Sequence, residues 1–97
     1  MKVVWAPEAI KDREDIWDAI AVEAGNPRAA ARMDELFGKA AAKLGDHPSI
    51  GRAGILSGTR EVIPHESYRL VYEVVGHTVW ILALVHTSRQ WPPVLDQ

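Results

Sequence analysis

The longest ordered apolar pattern in the chain runs from Tyr68 to Trp91, YRLVYEVVGHTVWILALVHTSRQW. Two extended segments flank Gly76-His77, and a glycine at the first turn position supplies the positive φ of a tight two-residue hairpin turn. Pairing Val75 with Thr78 sets the expected register. Alternation then places Leu70, Tyr72 and Val74 on one face with Val79, Ile81, Ala83 and Val85. That face is apolar apart from one phenol, so it demands a cover. The other face is mixed: Arg69, Val71, Glu73, Trp80, Leu82, Leu84 and His86. In this register Arg69 opposes Leu84, and His86 is its diagonal neighbour at roughly 7–8 Å.

Upstream, the spacing becomes helical. Lys2 to Trp5 is a short apolar segment, an edge strand or simply an ordered N-terminus. Pro7 opens a helix, because its missing N–H costs nothing at the first helical position. Ile10, Ile16, Trp17, Ile20 and Ala24 fall along one side, and Lys11, Asp12, Glu14, Asp15 and Asp18 along the other. The charge run is read as a solvated face, not a carboxylate site. Gly25 stops this helix, and Asn26-Pro27 begins the next as N-cap and first residue. Ala30, Met33, Leu36, Phe37, Ala40 and Leu44 form the second stripe, which Gly45 is expected to end. So short a break between two long helices forces an antiparallel helical hairpin.

Gly45 to Gly58, GDHPSIGRAGILSG, carries no phosphate-binding fingerprint and reads as a loop laid over the sheet edge. Thr59 to Pro64 is the next strand, and its alternation leaves open which face Arg60 takes. Pro92 to Gln97 is expected to be loosely held, with Val94 and Leu95 docking. The order strand, helix, helix, strand, strand, strand predicts one α+β domain over residues 1–97. Its helical hairpin would cover one face of a three-stranded antiparallel sheet.

Composition narrows the chemistry. The 97 residues include no cysteine, so neither disulfides nor a thiolate metal site can form. The four histidines, at 47, 65, 77 and 86, lack ligand spacing, and no metal or other cofactor is expected. No apolar signal run opens the chain and no stretch approaches the ~18 apolar residues of a membrane span, which points to the cytoplasm and away from membranes. A net charge of −2 and a pI of about 6.0 suit non-specific nucleic-acid binding poorly. From Ile50 onward every base is an arginine: Arg52, Arg60, Arg69 and Arg89.

Two surfaces are candidates for function. Arg69 and His86, with Arg60 as a second phosphate contact, would put a cation and an imidazole on the uncovered sheet face. The structural alternative pairs Arg69 with Glu73 along its own strand or Glu61 across the sheet. Val71, Trp80, Leu82 and Leu84 on that face make a larger apolar patch than a monomer normally tolerates, so a partner segment is expected to cover them. The second surface is the sheet's rim. Pro92 and Pro93 end the last strand near Trp91. Arg89 and Trp91 are residue types that anchor interfaces. The competing place for Trp91 is under the helices, closing the core.

The order of elements, HPSIGR, GTREVIP, YRLVYEV and the closing VHTSRQWP resemble the RelE/ParE superfamily of toxins from bacterial type II toxin–antitoxin modules. The resemblance spans almost the whole chain and implies a cognate antitoxin as partner in a hetero-oligomer. It also implies one of two activities. ParE-like members inhibit DNA gyrase and are not known as nucleases. RelE-like and YoeB-like members are endoribonucleases that cut mRNA on the ribosome. Arg69 matches the arginine of the YRLVY-type strand, and His86 the histidine near the last strand's end in the YoeB-like group. Thr87 stands where that group has tyrosine, the Gly51 region lacks its glutamate, no lysine follows Lys43 and no tyrosine follows Tyr72. A ribonuclease needs a proton acceptor and charge stabilisation at the phosphate. The departures favour the ParE-like activity over the nuclease. A third possibility is a non-toxic binding module of the same fold.

Overall fold

The computed structural model describes residues 1–92. Strand β1 (Lys2–Trp5) leads into helix α1 (Pro7–Asp18), which widens into a π-helical turn over Ala19–Glu23. Helix α2 (Pro27–Asp46) follows, then β2 (Arg52–Ala53), β3 (Thr59–His65), β4 (Tyr68–Val75) and β5 (Thr78–His86). The helices start where the sequence signals them: Pro7 and Pro27 stand in the first turns, and the Asn26 side chain accepts from Ala29 N–H at 3.1 Å. Gly25 has φ 66°, the left-handed conformation a side chain would resist. Val94 and Leu95 lie outside the described residues.

The fold is α+β, and its sheet is larger than the three strands expected. Five strands run in the order β1-β5-β4-β3-β2. β1 adds in parallel along β5, and the connector contributes β2 against Glu61 and Arg60 of β3. Gly45 does not end α2. It sits inside the last turn, where a Cβ would lie 3.0 Å from Met1 O and 3.2 Å from Val3 Cγ2. The glycine lets the chain start pack against the helix, and the Met1 ammonium donates to Gly45 O at 2.7 Å.

The hairpin turn forms as expected. Gly76 has φ 59°, and Val75 pairs with Thr78. The expected register holds through Tyr72↔Ile81 and then breaks, because Leu82 is an extra residue on β5 and the next pair is Val71↔Ala83. One bulged residue inverts every side chain beyond it. Leu84 and His86 therefore share the helical face with Leu70 and Tyr68, while Ala83 and Val85 move to the open face with Val71 and Arg69.

Two apolar clusters result. On the helical face Leu70, Tyr72, Val79, Ile81 and Leu84 pack under Ala9, Phe37, Ala41 and Leu44. On the open face Val71, Ala83 and Val85 are buried, with Trp91 laid against them.

Candidate functional site

The bulge separates the residues that alternation would have joined. Arg69 lies on the open face opposite Val85, and His86 lies on the helical face opposite Tyr68. The expected meeting of cation and imidazole is not made.

Each of the three candidate phosphate-handling residues is engaged elsewhere. Arg69 Nη1 stands 3.6 Å from Glu61 Oε1, and Arg52 Nη2 donates to the same oxygen at 3.4 Å. The Glu61 side chain is only 2% exposed, so a buried carboxylate holds Arg69. Among the two acids within reach, it is Glu61, not Glu73, that pairs with it. Arg60 takes the face of Tyr72 and donates to Gly51 O at 2.8 Å and Ser49 O at 3.4 Å. The Tyr72 hydroxyl works on the same loop, donating to Pro48 O at 2.8 Å and accepting from Gly51 N–H at 2.9 Å. Together they pin the connector to the sheet.

His86 packs edge-on to Tyr68 at 5.3 Å between ring centroids, and Tyr68 packs edge-on to Phe37 at 5.5 Å. Its Nδ1 accepts from Ser88 N–H at 3.1 Å, with Ser88 Oγ 2.6 Å away. An Nδ1 that accepts carries no proton, so the neutral ring is protonated at Nε2. Ser88 thus engages Nδ1 from both its N–H and its hydroxyl.

The structure does build a cleft at the end of the sheet. About 540 Å³ lies between α1 and the end of β5, bounded by Asp12, Asp15, Ile16, Tyr68, His86, Arg89 and Trp91 among others. Arg89 is exposed at its rim, and Trp91 reaches from it across to the open-face cluster. Trp91 therefore does not close the core under the helices. Asp12 and Asp15 were expected on a solvated face. Asp15 is, paired with Lys11 at 2.9 Å. Asp12 turns inward and accepts from Leu84 N–H at 3.1 Å. Burial raises its carboxyl above the ordinary 3.8, and the Leu84 N–H opposes that rise. Arg13 is also turned in, bonded to Asp34 through Nε at 2.6 Å and Nη2 at 3.0 Å and stacked 4.7 Å over Trp5. The sequence signal for both is the stripe Ala9, Asp12, Arg13, Ile16, spaced at i, i+3, i+4 and i+7.

The expected apolar patch is likewise redistributed. Leu84 is buried in the helical core, and Val71 is buried beneath Trp91. Trp80 stays on the open face, 36% exposed, between Glu73 and Val4, and Leu82 is the half-buried bulge residue. Among the described residues no helix is long and apolar enough to cross a membrane.

Known proteins place this architecture. The chain is 30% identical over 94 residues to "Putative toxin Y4kP" of Sinorhizobium fredii, covering 97% of this chain and 96% of that one. Its fold matches the solved chromosomal ParDE TA system from P. aeruginosa with a TM-score of 0.77 at 21% identity, over 89% of this chain and 95% of that one. It also matches the YoeB/ParE toxin from Agrobacterium tumefaciens with a TM-score of 0.66 at 22% identity, over 89% and 98%. The family model for the ParE toxin of the type II toxin–antitoxin system parDE matches residues 3–91, and the chain belongs to that family.

Proposed function

We propose that this ParE-family toxin is neutralised by a cognate antitoxin and acts in the cytoplasm by inhibiting DNA gyrase, not by cutting mRNA. The observation that carries the reading is the dispersal of Arg60, Arg69 and His86. Arg60 clamps Gly51 and Ser49, Arg69 faces buried Glu61, and His86 lies across the sheet from Arg69 with Nδ1 occupied. A ribonuclease needs a base with an open lone pair beside a cation at the scissile phosphate. These three residues supply neither at one place. The antitoxin is supported by family membership, and by the ParDE system among the structural neighbours. Arg89 and Trp91 at the cleft's rim are the residues assigned to the target, and Trp80 with Leu82 to the antitoxin side of the open face.

The test sets purified protein against gyrase supercoiling and, in parallel, against ribosome-bound mRNA. Inhibited supercoiling with intact mRNA is the expected result. Cut mRNA that His86→Ala abolishes would overturn the gyrase reading.

A further inference from the structure

Three buried side-chain atoms find no hydrogen-bond partner among the described residues: Glu61 Oε2, Arg69 Nε and Trp91 Nε1. They belong to one patch of the open face. Glu61 stands opposite Val71 and Arg69 opposite Val85, and Trp91 lies against both of those valines. The ion pair in this patch, Arg69 Nη1 to Glu61 Oε1 at 3.6 Å, uses other atoms of both side chains. Buried polar groups are nearly always paired, and each one left unpaired forfeits the bond that water would give it. Seating the indole therefore has opposed effects. It buries ring surface against Val71, Ala83 and Val85, and it closes a patch that holds two donors and an acceptor without partners.

The backbone that carries the indole is pinned only as far as Arg89. Thr87 N–H donates to Ser67 O at 2.8 Å and Thr87 Oγ1 to Glu66 O at 3.0 Å. Ser88 N–H donates to His86 Nδ1 at 3.1 Å, and Arg89 N–H to His86 O at 2.9 Å. Among the described hydrogen bonds none reaches Gln90, Trp91 or Pro92. The half-buried ring also borders the cleft. A pivot beyond Arg89 carries it off the open face toward the cleft's mouth. There its N–H meets water, as do the two polar atoms it uncovers. We propose that Trp91 is a lid with two positions, seated on the open face or turned out beside Arg89, and that the turned-out indole is the form that meets the target. This rests on the assignment of Trp91 to the target and adds how a half-buried ring becomes available to it.

The experiment uses the whole chain labelled with fluorotryptophan. Trp5, Trp17, Trp80 and Trp91 give four fluorine resonances, and Trp91→Phe assigns that of the lid. The change in each resonance between light and heavy water reports how far that ring is exposed to solvent. Two variants push the lid in opposite directions, and melts check that both are folded. Glu61→Leu with Arg69→Met removes two of the three unpaired atoms and favours the seated ring. Val85→Ala cuts away part of the seat and favours the released one. The solvent isotope shift of Trp91 is expected to fall at least twofold in the first and to rise in the second. Wild type should lie between them, its resonance broadened by exchange on the microsecond-to-millisecond scale. Inhibition of gyrase supercoiling should be at least tenfold weaker in the first variant and undiminished in the second. An isotope shift that is the same in all three proteins would overturn the lid, even where inhibition is lost. So would a Trp91 N–H that resists exchange with solvent, the sign of a ring held permanently in its seat. Isotope shifts that move while inhibition does not follow would overturn the lid's part in target contact. Isotope shifts that move as expected in a wild type that leaves gyrase uninhibited would overturn the gyrase reading and support the lid without it.

Discussion

The Asp12 carboxylate accepts the backbone N–H of Leu84 at 3.1 Å, joining residues 72 apart in sequence. β1 reaches only as far as Trp5↔Ile81 along β5. Beyond that point, among the described residues, the edge of β5 has no strand beside it, and α1 supplies an acceptor there through a side chain. Asp12→Ala leaves that N–H unpaired in a half-buried place and is expected to cost about 1–3 kcal/mol. Asp12→Asn keeps an acceptor oxygen and should cost much less.

The same contact predicts a pH dependence. Burial raises the Asp12 carboxyl above 3.8, so between 3.8 and the folded-state value the folded protein holds a proton that the unfolded chain has lost. The contribution of Asp12 to stability is therefore greatest below 3.8 and declines as pH rises through the folded-state value. Denaturant melts of wild type and Asp12→Asn across that range should show wild type losing ground as pH rises, then levelling. A difference that runs the other way would remove burial as the dominant influence on this group.

Tyr72 and Gly51 make a second testable pair. Tyr72 is fully buried, and its hydroxyl satisfies both Pro48 O and Gly51 N–H. Tyr72→Phe strands both and is expected to cost about 1–3 kcal/mol. Gly51→Ala should cost more, since its Cβ would stand 2.6 Å from the Tyr72 hydroxyl and 2.9 Å from Glu61 O. Removing the hydroxyl relieves only the first clash. A double-mutant cycle in urea should give less than the sum of the single changes, and strict additivity would show that the connector does not transmit the contact.

What the sequence disclosed and what it hid follow one physical line. The helical hairpin and the turn at Gly76 were legible because Pro, Asn and Gly act through their own backbone preferences. The register of β5 was legible only near that turn. Ile81 to Val85 is apolar at every position, so alternation cannot pin a register there, and a bulge at Leu82 leaves no trace in the pattern. That one residue parted Arg69 from His86 and moved Leu84 into the core. Gly45 read as a stop signal because close approach by Met1 and Val3 depends on tertiary packing. Asp12 read as solvent-facing because a carboxylate's backbone partner 72 residues away has no local signature.

Arg69 is expected to matter first for stability. The Glu61 side chain is almost wholly buried, and its cations are Arg69 and an Arg52 side chain that is 63% exposed. Arg69→Ala leaves the carboxylate with the exposed partner alone, a loss on the order of 3–5 kcal/mol. Replacing both partners together, Glu61→Leu with Arg69→Met, should recover most of it. A melt of these two variants beside wild type checks this. Arg69→Ala with unchanged stability and lost toxicity would return Arg69 to a direct contact role.

The rim of the cleft gives the prediction closest to function. Arg89 is exposed and its backbone N–H closes a turn onto His86 O at 2.9 Å, so its guanidinium has no structural task among the described contacts. Trp91 is half-buried against Val71, Ala83 and Val85. The two should therefore separate. Arg89→Ala is expected to leave stability within about 0.5 kcal/mol, as for other exposed positions, while reducing gyrase inhibition at least tenfold. Trp91→Ala should cost about 2 kcal/mol, below the ~3–5 of a fully buried aromatic, and reduce inhibition beyond what that destabilisation explains. Trp91→Phe keeps most of the packing and isolates the contribution of the indole. Supercoiling assays are run beside thermal melts, with each variant compared at temperatures where it is fully folded. Full inhibition by Arg89→Ala, with Trp91→Ala losing activity only in step with its melting temperature, would leave the rim a structural feature and send the search for the target surface elsewhere on the molecule.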